Sequence, residues 1–287
     1  MSPILAGAVT AVAYAISTLS SARSSRIAGA VPAVAGVMLV GSLLLLPVAL
    51  LATPLPPVPV STLAGSVLAG GLNVVGLLLA YAAYRIGAVG IVSTIGSTEG
   101  AIAAIISVLA GQALAPGSGP ALAVVAVGVV LAATSGGHEL EEGVPIGRGQ
   151  SLRAAGLALC AALALGSGLF VTGQVSSSLP PAWVVLPGRL VGVLVVGLPI
   201  LATGRARVPR QAVPFIVLTG VVEVVGLASF SIGSRQDIAI TSVLASMFAP
   251  LAAIAAFVLF RERLAPRQVV GIVLVVVGIA LLGAFSG

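Results

Sequence analysis

The chain has 287 residues, is 59% hydrophobic and only 7% charged, and has a mean hydropathy of +1.24. A soluble domain carries about 25% charged residues, so too few charges remain here to wet a globular surface. The net charge of +6 comes from scattered arginines with no dense basic patch, which excludes a nucleic-acid-binding face.

An apolar run of about 20 residues spans the roughly 30 Å hydrocarbon core as a helix, and such runs follow one another along this chain. A β-barrel would need alternating polar and apolar residues, and that alternation is missing. The pattern predicts an all-α, polytopic membrane protein with ten transmembrane helices, near 3–20, 28–51, 61–84, 88–111, 119–135, 152–175, 182–202, 212–233, 238–260 and 267–285. The first, "MSPILAGAVTAVAYAIS", has no basic leader and reads as a span rather than a cleaved signal. "SSARSSR" reads as the break after it; "TPLPPVP", "APGSGP", "SSSLPP" and "GRARVPRQ" are the later breaks. The lone Cys160 sits inside the sixth run, allows no intrachain disulfide, and reads as a packing residue. The linker at 138–151 separates a first half, 1–137, from a second, 152–287. It holds His138 with Glu139, Glu141 and Glu142; one histidine beside loop acids makes a poor metal site, and no metal or other cofactor is expected.

The halves resemble each other. "NVVGL" begins at Asn73 and "EVVGL" at Glu223, and the same spacing of 150 joins Arg85 to Arg235 and Leu114-Ala115-Pro116 to Leu264-Ala265-Pro266. Five helices per half is odd, so the second half starts on the opposite face and the repeats are inverted, the build of many secondary transporters. The loop charges agree. Eleven arginines (23, 26, 85, 148, 153, 205, 207, 210, 261, 263 and 267) fall in odd-numbered loops and only Arg235 in the others. By the positive-inside rule this predicts extracytoplasmic termini.

The stretch "FAPLAAIAAFVLFRERLAPRQVVGIVLVVVGIALLG", residues 248–283, resembles the EamA family of the drug/metabolite transporter superfamily. The resemblance rests on Pro250 within a helix, the Arg261-Glu262-Arg263-Leu264 exit, and Gly271 and Gly278 in the last helix. Gly111-Gln112-Ala113-Leu114 is a weaker first-half copy, with Gln112 where the family has an acid. The resemblance implies ten helices, movement of small metabolites, and the cytoplasmic termini common in the family, against the charge count. At the 150 spacing, Glu99-Gly100 matches Ala249-Pro250, where the family often has a Glu-Pro pair.

A charge at a helix centre costs roughly 2.5–3.5 kcal/mol on insertion scales, and intramembrane acids are functional by default. Glu99 lies mid-span on a face shared with Val92, Ile95, Ile102 and Ile106, with the serines and threonines turned away. It could be a neutral hydrogen-bond donor or line a substrate or proton path. Glu223 shares its side with Thr219, Gly220, Gly226 and Phe230, which suits a cavity, and its repeat partner is Asn73. It is the favoured proton carrier of the two. Arg189, about eight residues into its helix, could snorkel to the interface, counter one of these acids, or bind an anionic solute. Tyr14, Tyr81, Tyr84 and Gln174 are further candidate cavity groups, and Trp183 reads as an interfacial anchor.

No HExxH, GxSxG or Cys–His pair supports an enzyme, and no P-loop supports an ATP-driven pump. The leading expectation is a multi-pass secondary transporter of the cytoplasmic membrane. It would move a small metabolite or drug-like solute by alternating access, coupled to protons, with the lipid bilayer as its surroundings and either a monomer or a homodimer as its unit. A lipid-headgroup flippase of the same fold is the alternative, and a membrane-embedded enzyme a weaker one.

Overall fold

A computed structural model describes residues 1–87, 89–112, 118–133, 148–204, 208–251, 266–267, 269–271, 273–274, 277–278 and 281. Described in chain order, the helices are α1 (Pro3–Ala28), α2 (Ala30–Ala52), α3 (Val60–Ile86), α4 (Val89–Gly96), α5 (Glu99–Leu109), α6 (Ser118–Ala133), α7 (Arg148–Ser176), α8 (Pro181–Ala202), α9 (Val213–Ser234) and α10 (Ile238–Ala245). No strand occurs among the described residues. Six of these helices are long and apolar enough to cross a membrane, namely α1, α2, α3, α7, α8 and α9. Glu99–Leu109, Gly119–Gly128 and Ile238–Leu251 are shorter apolar helices. All-helical structure follows from the solvent, because lipid offers no partners to an exposed backbone. The protein is therefore a polytopic α-helical membrane protein. Its outer surface is apolar, with Leu43, Leu50, Leu51, Leu194 and Val195 all exposed. Cys160 is exposed too, so it faces outward and is not the packing residue expected.

Two expectations about the elements fail for physical reasons. The run "SSARSSR" is no break: α1 continues to Ala28, with Ser21, Ser24 and Ser25 buried. Each hydroxyl returns a hydrogen bond to its own helix, Ser21 to the Thr18 carbonyl, Ser24 to Ser21 and Ser25 to Ala22, which is how serine is tolerated inside an apolar helix. The chain instead turns at Gly29, where φ is +89°.

The fourth span is not continuous either. It breaks at Ser97–Thr98, and α5 restarts at Glu99. A matching break follows α10 at Ser246–Met247, before helix resumes at 248–251. The turn hydrogen bonds correspond. Ser97 N–H bonds the Ser93 carbonyl as Ser246 bonds Ser242, and Thr98 bonds Ile95 as Met247 bonds Leu244. The breaks are therefore 149 residues apart, so the spacing of 150 that relates Arg85 to Arg235 loses one residue in the turn before this span. The sequence at 261–264, Leu114-Ala115-Pro116, the linker with His138, and most of the last helix lie outside the described residues.

The helices pack in a definite pattern. α3 packs most extensively on α7, and α1 on α9; α2 lies on α8 and α5 on α10. Further contacts join α3 to α8, α2 to α9, α4 to α7 and α1 to α10. α3 and α8 cross backbone to backbone at Gly70 and Gly188, the close approach small residues permit in membranes. Gly100 lies against Ser242 and Ser246 with no room for a side chain, and its N–H donates to Ser246 Oγ at 2.9 Å. Trp183 Nε1 donates to the Thr53 carbonyl at 2.7 Å, tying the start of α8 to the end of α2.

Candidate functional site

A chamber inside the bundle is lined by residues from seven helices. It has a volume of about 90 Å³, room for several waters. Tyr14, Ser17 and Thr18 reach it from α1; Asn73, Tyr81 and Tyr84 from α3; Gly96 from α4; Glu99 from α5; Thr172 from α7; Gly188 and Arg189 from α8; Glu223 from α9; and Phe248 from beyond the second break. Most of its wall is apolar, with the polar groups converging from different helices, the usual composition of a small-molecule site.

An ion pair joins helices α8 and α9. Arg189 Nη1 lies 3.0 Å from Glu223 Oε2, with the two side chains only 1% and 5% exposed. Ser17 on α1 donates to the other carboxylate oxygen, Oε1, at 3.2 Å. Arg189 does not snorkel; it is buried, and its Nη1 also meets Met38 Sδ at 3.7 Å. A buried ion pair recovers its desolvation cost only when its remaining hydrogen-bonding capacity is met. The carboxylate here is well supplied. The guanidinium is not, since Nε and Nη2 have no partner.

Glu99 is placed differently. It is the first residue of α5, buried, and no cation pairs with it among the described residues. Its carboxyl is an electrostatic neighbour of Glu223 and of Tyr14, and Tyr14 in turn senses Arg189. The apolar face expected for Glu99 assumed one continuous helix. The helix is interrupted at Ser97–Thr98, and Glu99 lines the chamber together with Val92 and Gly96. The Tyr14 ring packs edge-on against Phe248, with centroids 6.3 Å apart and planes at 72°. Tyr81 OH lies near Ser21 but outside hydrogen-bond geometry, and is unpaired.

Seven of the eight residues singled out from the sequence thus meet at one chamber: Tyr14, Asn73, Tyr81, Tyr84, Glu99, Arg189 and Glu223. Gln174 does not. It is exposed, while Thr172, two residues earlier and so on the opposite side of α7, is buried and lines the chamber. Sequence reasoning missed Ser17, Thr18, Thr172 and Phe248. The hydroxyl-rich stretch of α1 was the available signal for the first two, which lie inside the span predicted at 3–20.

A buried, charge-bearing chamber inside a bundle of apolar helices defines a multi-pass membrane protein with an internal polar site. Residues 152–284 match the model of the EamA-like transporter family. That stretch, a little under half of the chain, is similar to a family of transporters within the drug/metabolite transporter superfamily. A solved crystal structure is similar in fold, with a TM-score of 0.72 at 15% identity, covering 98% of this chain and 96% of that one. No curated protein matches the chain.

Proposed function

We propose that the protein is a secondary transporter that carries a small metabolite or drug-like solute across the cytoplasmic membrane by alternating access. Its two halves, 1–137 and 152–287, would be inverted five-helix repeats, and Glu99 the group that carries the coupling proton. The observation that carries this reading is the central chamber, where a carboxyl with no counter-cation among the described residues sits beside an Arg–Glu pair.

Helix packing supports the inverted repeat. Exchanging α1 with α7, α2 with α8, α3 with α9 and α4 with α10 turns the α1–α9 contact into α7–α3, α2–α9 into α8–α3, and α1–α10 into α7–α4. The chain ends support it too. Gln236, next to Arg235, donates to the Met1 carbonyl at one end of α1. At the other end, Arg26 donates to the carbonyls of Tyr84 and Gly87, on either side of Arg85. Paired discontinuous helices meeting near the middle of the fold are a transporter arrangement. A chamber lined from seven helices favours a solute path through the centre over a headgroup groove on the flank.

On this reading the proton role goes to Glu99 instead of Glu223, which the sequence favours on its small polar neighbours; the Arg189 and Ser17 contacts of Glu223 support the change. Glu223 is balanced by Arg189 and Ser17. Glu99 must be balanced by a proton or by a charged solute, and exchange of one for the other couples the two fluxes. In proteoliposomes with an imposed pH gradient, Glu99→Gln should abolish gradient-driven uptake while leaving solute exchange measurable. Wild-type pH dependence in Glu99→Gln would remove the proton-coupling assignment.

A further inference from the structure

Several buried hydrogen-bonding groups without partners collect around one side chain. Arg189 has five N–H donors. Only Nη1 is engaged, by Glu223 Oε2 and Met38 Sδ. Nε and Nη2 are buried and unpaired, as are the hydroxyls of Tyr81 on α3 and Ser42 on α2. Tyr81 and Arg189 both line the chamber, and Ser42 belongs to the turn of α2 that packs on Arg189. Tyr81 shares an apolar cluster with Met38 and is an electrostatic neighbour of Arg189. Ser42 lies one turn along α2 from Met38 and therefore on the same side of that helix. Gly41, between them, faces the Arg189 stem and Nε. Buried polar groups in native proteins nearly always have partners, and those left over ask for one.

We propose that the Nε–Nη2 edge of Arg189, with the Tyr81 and Ser42 hydroxyls beside it, is the seat for a carboxylate on the transported solute. The proposal rests on the transporter reading above and names the chemistry its substrate must bring. A guanidinium presents two parallel N–H bonds along one edge, and that fork matches a carboxylate. Because Nη1 holds Glu223, the ligand takes the opposite edge and the ion pair survives binding. Tyr81 and Ser42 can donate to the remaining lone pairs. Arg189 is the only basic side chain on the chamber wall among the described residues, so a single negative charge fits the seat better than a phosphate dianion. The carboxylate can belong to a simple monocarboxylic acid or to a zwitterion; both present the same two oxygens.

The test uses the full-length protein in lipid nanodiscs, with radiolabelled propionate as the probe. Propionate should bind saturably and be displaced by acetate and by alanine, but not by ethylamine. Alanine binding tighter than propionate assigns the seat to a zwitterion; equal binding assigns it to a simple acid. Arg189→Lys keeps a cation for Glu223 but removes the fork, and should weaken propionate binding about tenfold or more. Tyr81→Phe and Ser42→Ala remove only a hydroxyl each and carry the test if the lysine variant misfolds; each should weaken binding about threefold or more. Unchanged propionate binding in the variants that fold, or displacement by ethylamine, overturns the seat. Flux assays separate the two readings. Propionate that binds but never crosses a proteoliposome membrane refutes the transporter reading and leaves the seat. Flux of another solute that is indifferent to saturating propionate refutes the seat and leaves the transporter.

Discussion

Arg189 and Glu223 are two charges placed where water is scarce, and the balance between them is testable. Replacing a buried pair by apolar groups is often neutral, whereas removing one partner strands the other at a cost of about 3–5 kcal/mol. Arg189→Met and Glu223→Leu should each lower stability by about that amount, and the double variant should recover most of it, as read from denaturation in detergent micelles. Single variants as stable as the parent would mean the pair is hydrated rather than sealed. The sequence named Arg189 as a counter-charge for one of two acids, but 34 residues of chain separate the partners that meet. Spacing on each helix says which way a side chain points, and the choice between Glu99 and Glu223 is made by how α8 crosses α9. The sequence also left open whether Arg189 snorkels, because distance from a helix end does not report what packs around it.

The two interrupted spans are the elements that set the site. Their breaks were invisible in the sequence because Ser, Thr and Gly are as much at home in a continuous membrane helix as at a turn, and hydropathy averages over them. The apolar runs themselves were plain, which is why helix positions agree along much of the chain while α1 was cut short and α4–α5 run together. Gly100 is where α5 meets α10. A methyl group there collides with the Ser242 carbonyl and the Ser246 hydroxyl, whereas one on Gly71 meets nothing within 4 Å. Overpacking of this kind costs about 1–3 kcal/mol. Gly100→Ala should therefore lower the thermal midpoint and impair transport, with Gly71→Ala close to the parent in both. Equal behaviour of the two variants would show that the contact at the break does not constrain the fold.

At the scale of the whole molecule, several of the described arginines fall on two opposite faces. The donor bonds of Arg26 set the end of α1 beside Arg85, and Gln150 Nε2 reaches the Ile86 carbonyl, bringing the start of α7 to that same face. Ala212, beside Arg210, packs with Ile27 and Ala28 there. Arg235 lies at the opposite end, donating to the Leu179 carbonyl at 2.6 Å. The positive-inside rule then predicts the Arg85 face in the cytoplasm and Met1 outside. In a Cys160→Ser background, Arg235→Cys should react with an impermeant maleimide on intact cells, and Arg85→Cys only after permeabilisation. The reverse pattern would restore the orientation usual in the family, and labelling of both from one side would end the inverted topology. Movement of one half against the other should also be visible without any label. Trp183 is the only tryptophan in the chain, and its indole N–H spans the gap between α2 and α8. If that gap widens as the chamber opens, the indole loses its carbonyl acceptor and its fluorescence shifts, so the protein carries its own optical gauge on the helix that holds Arg189.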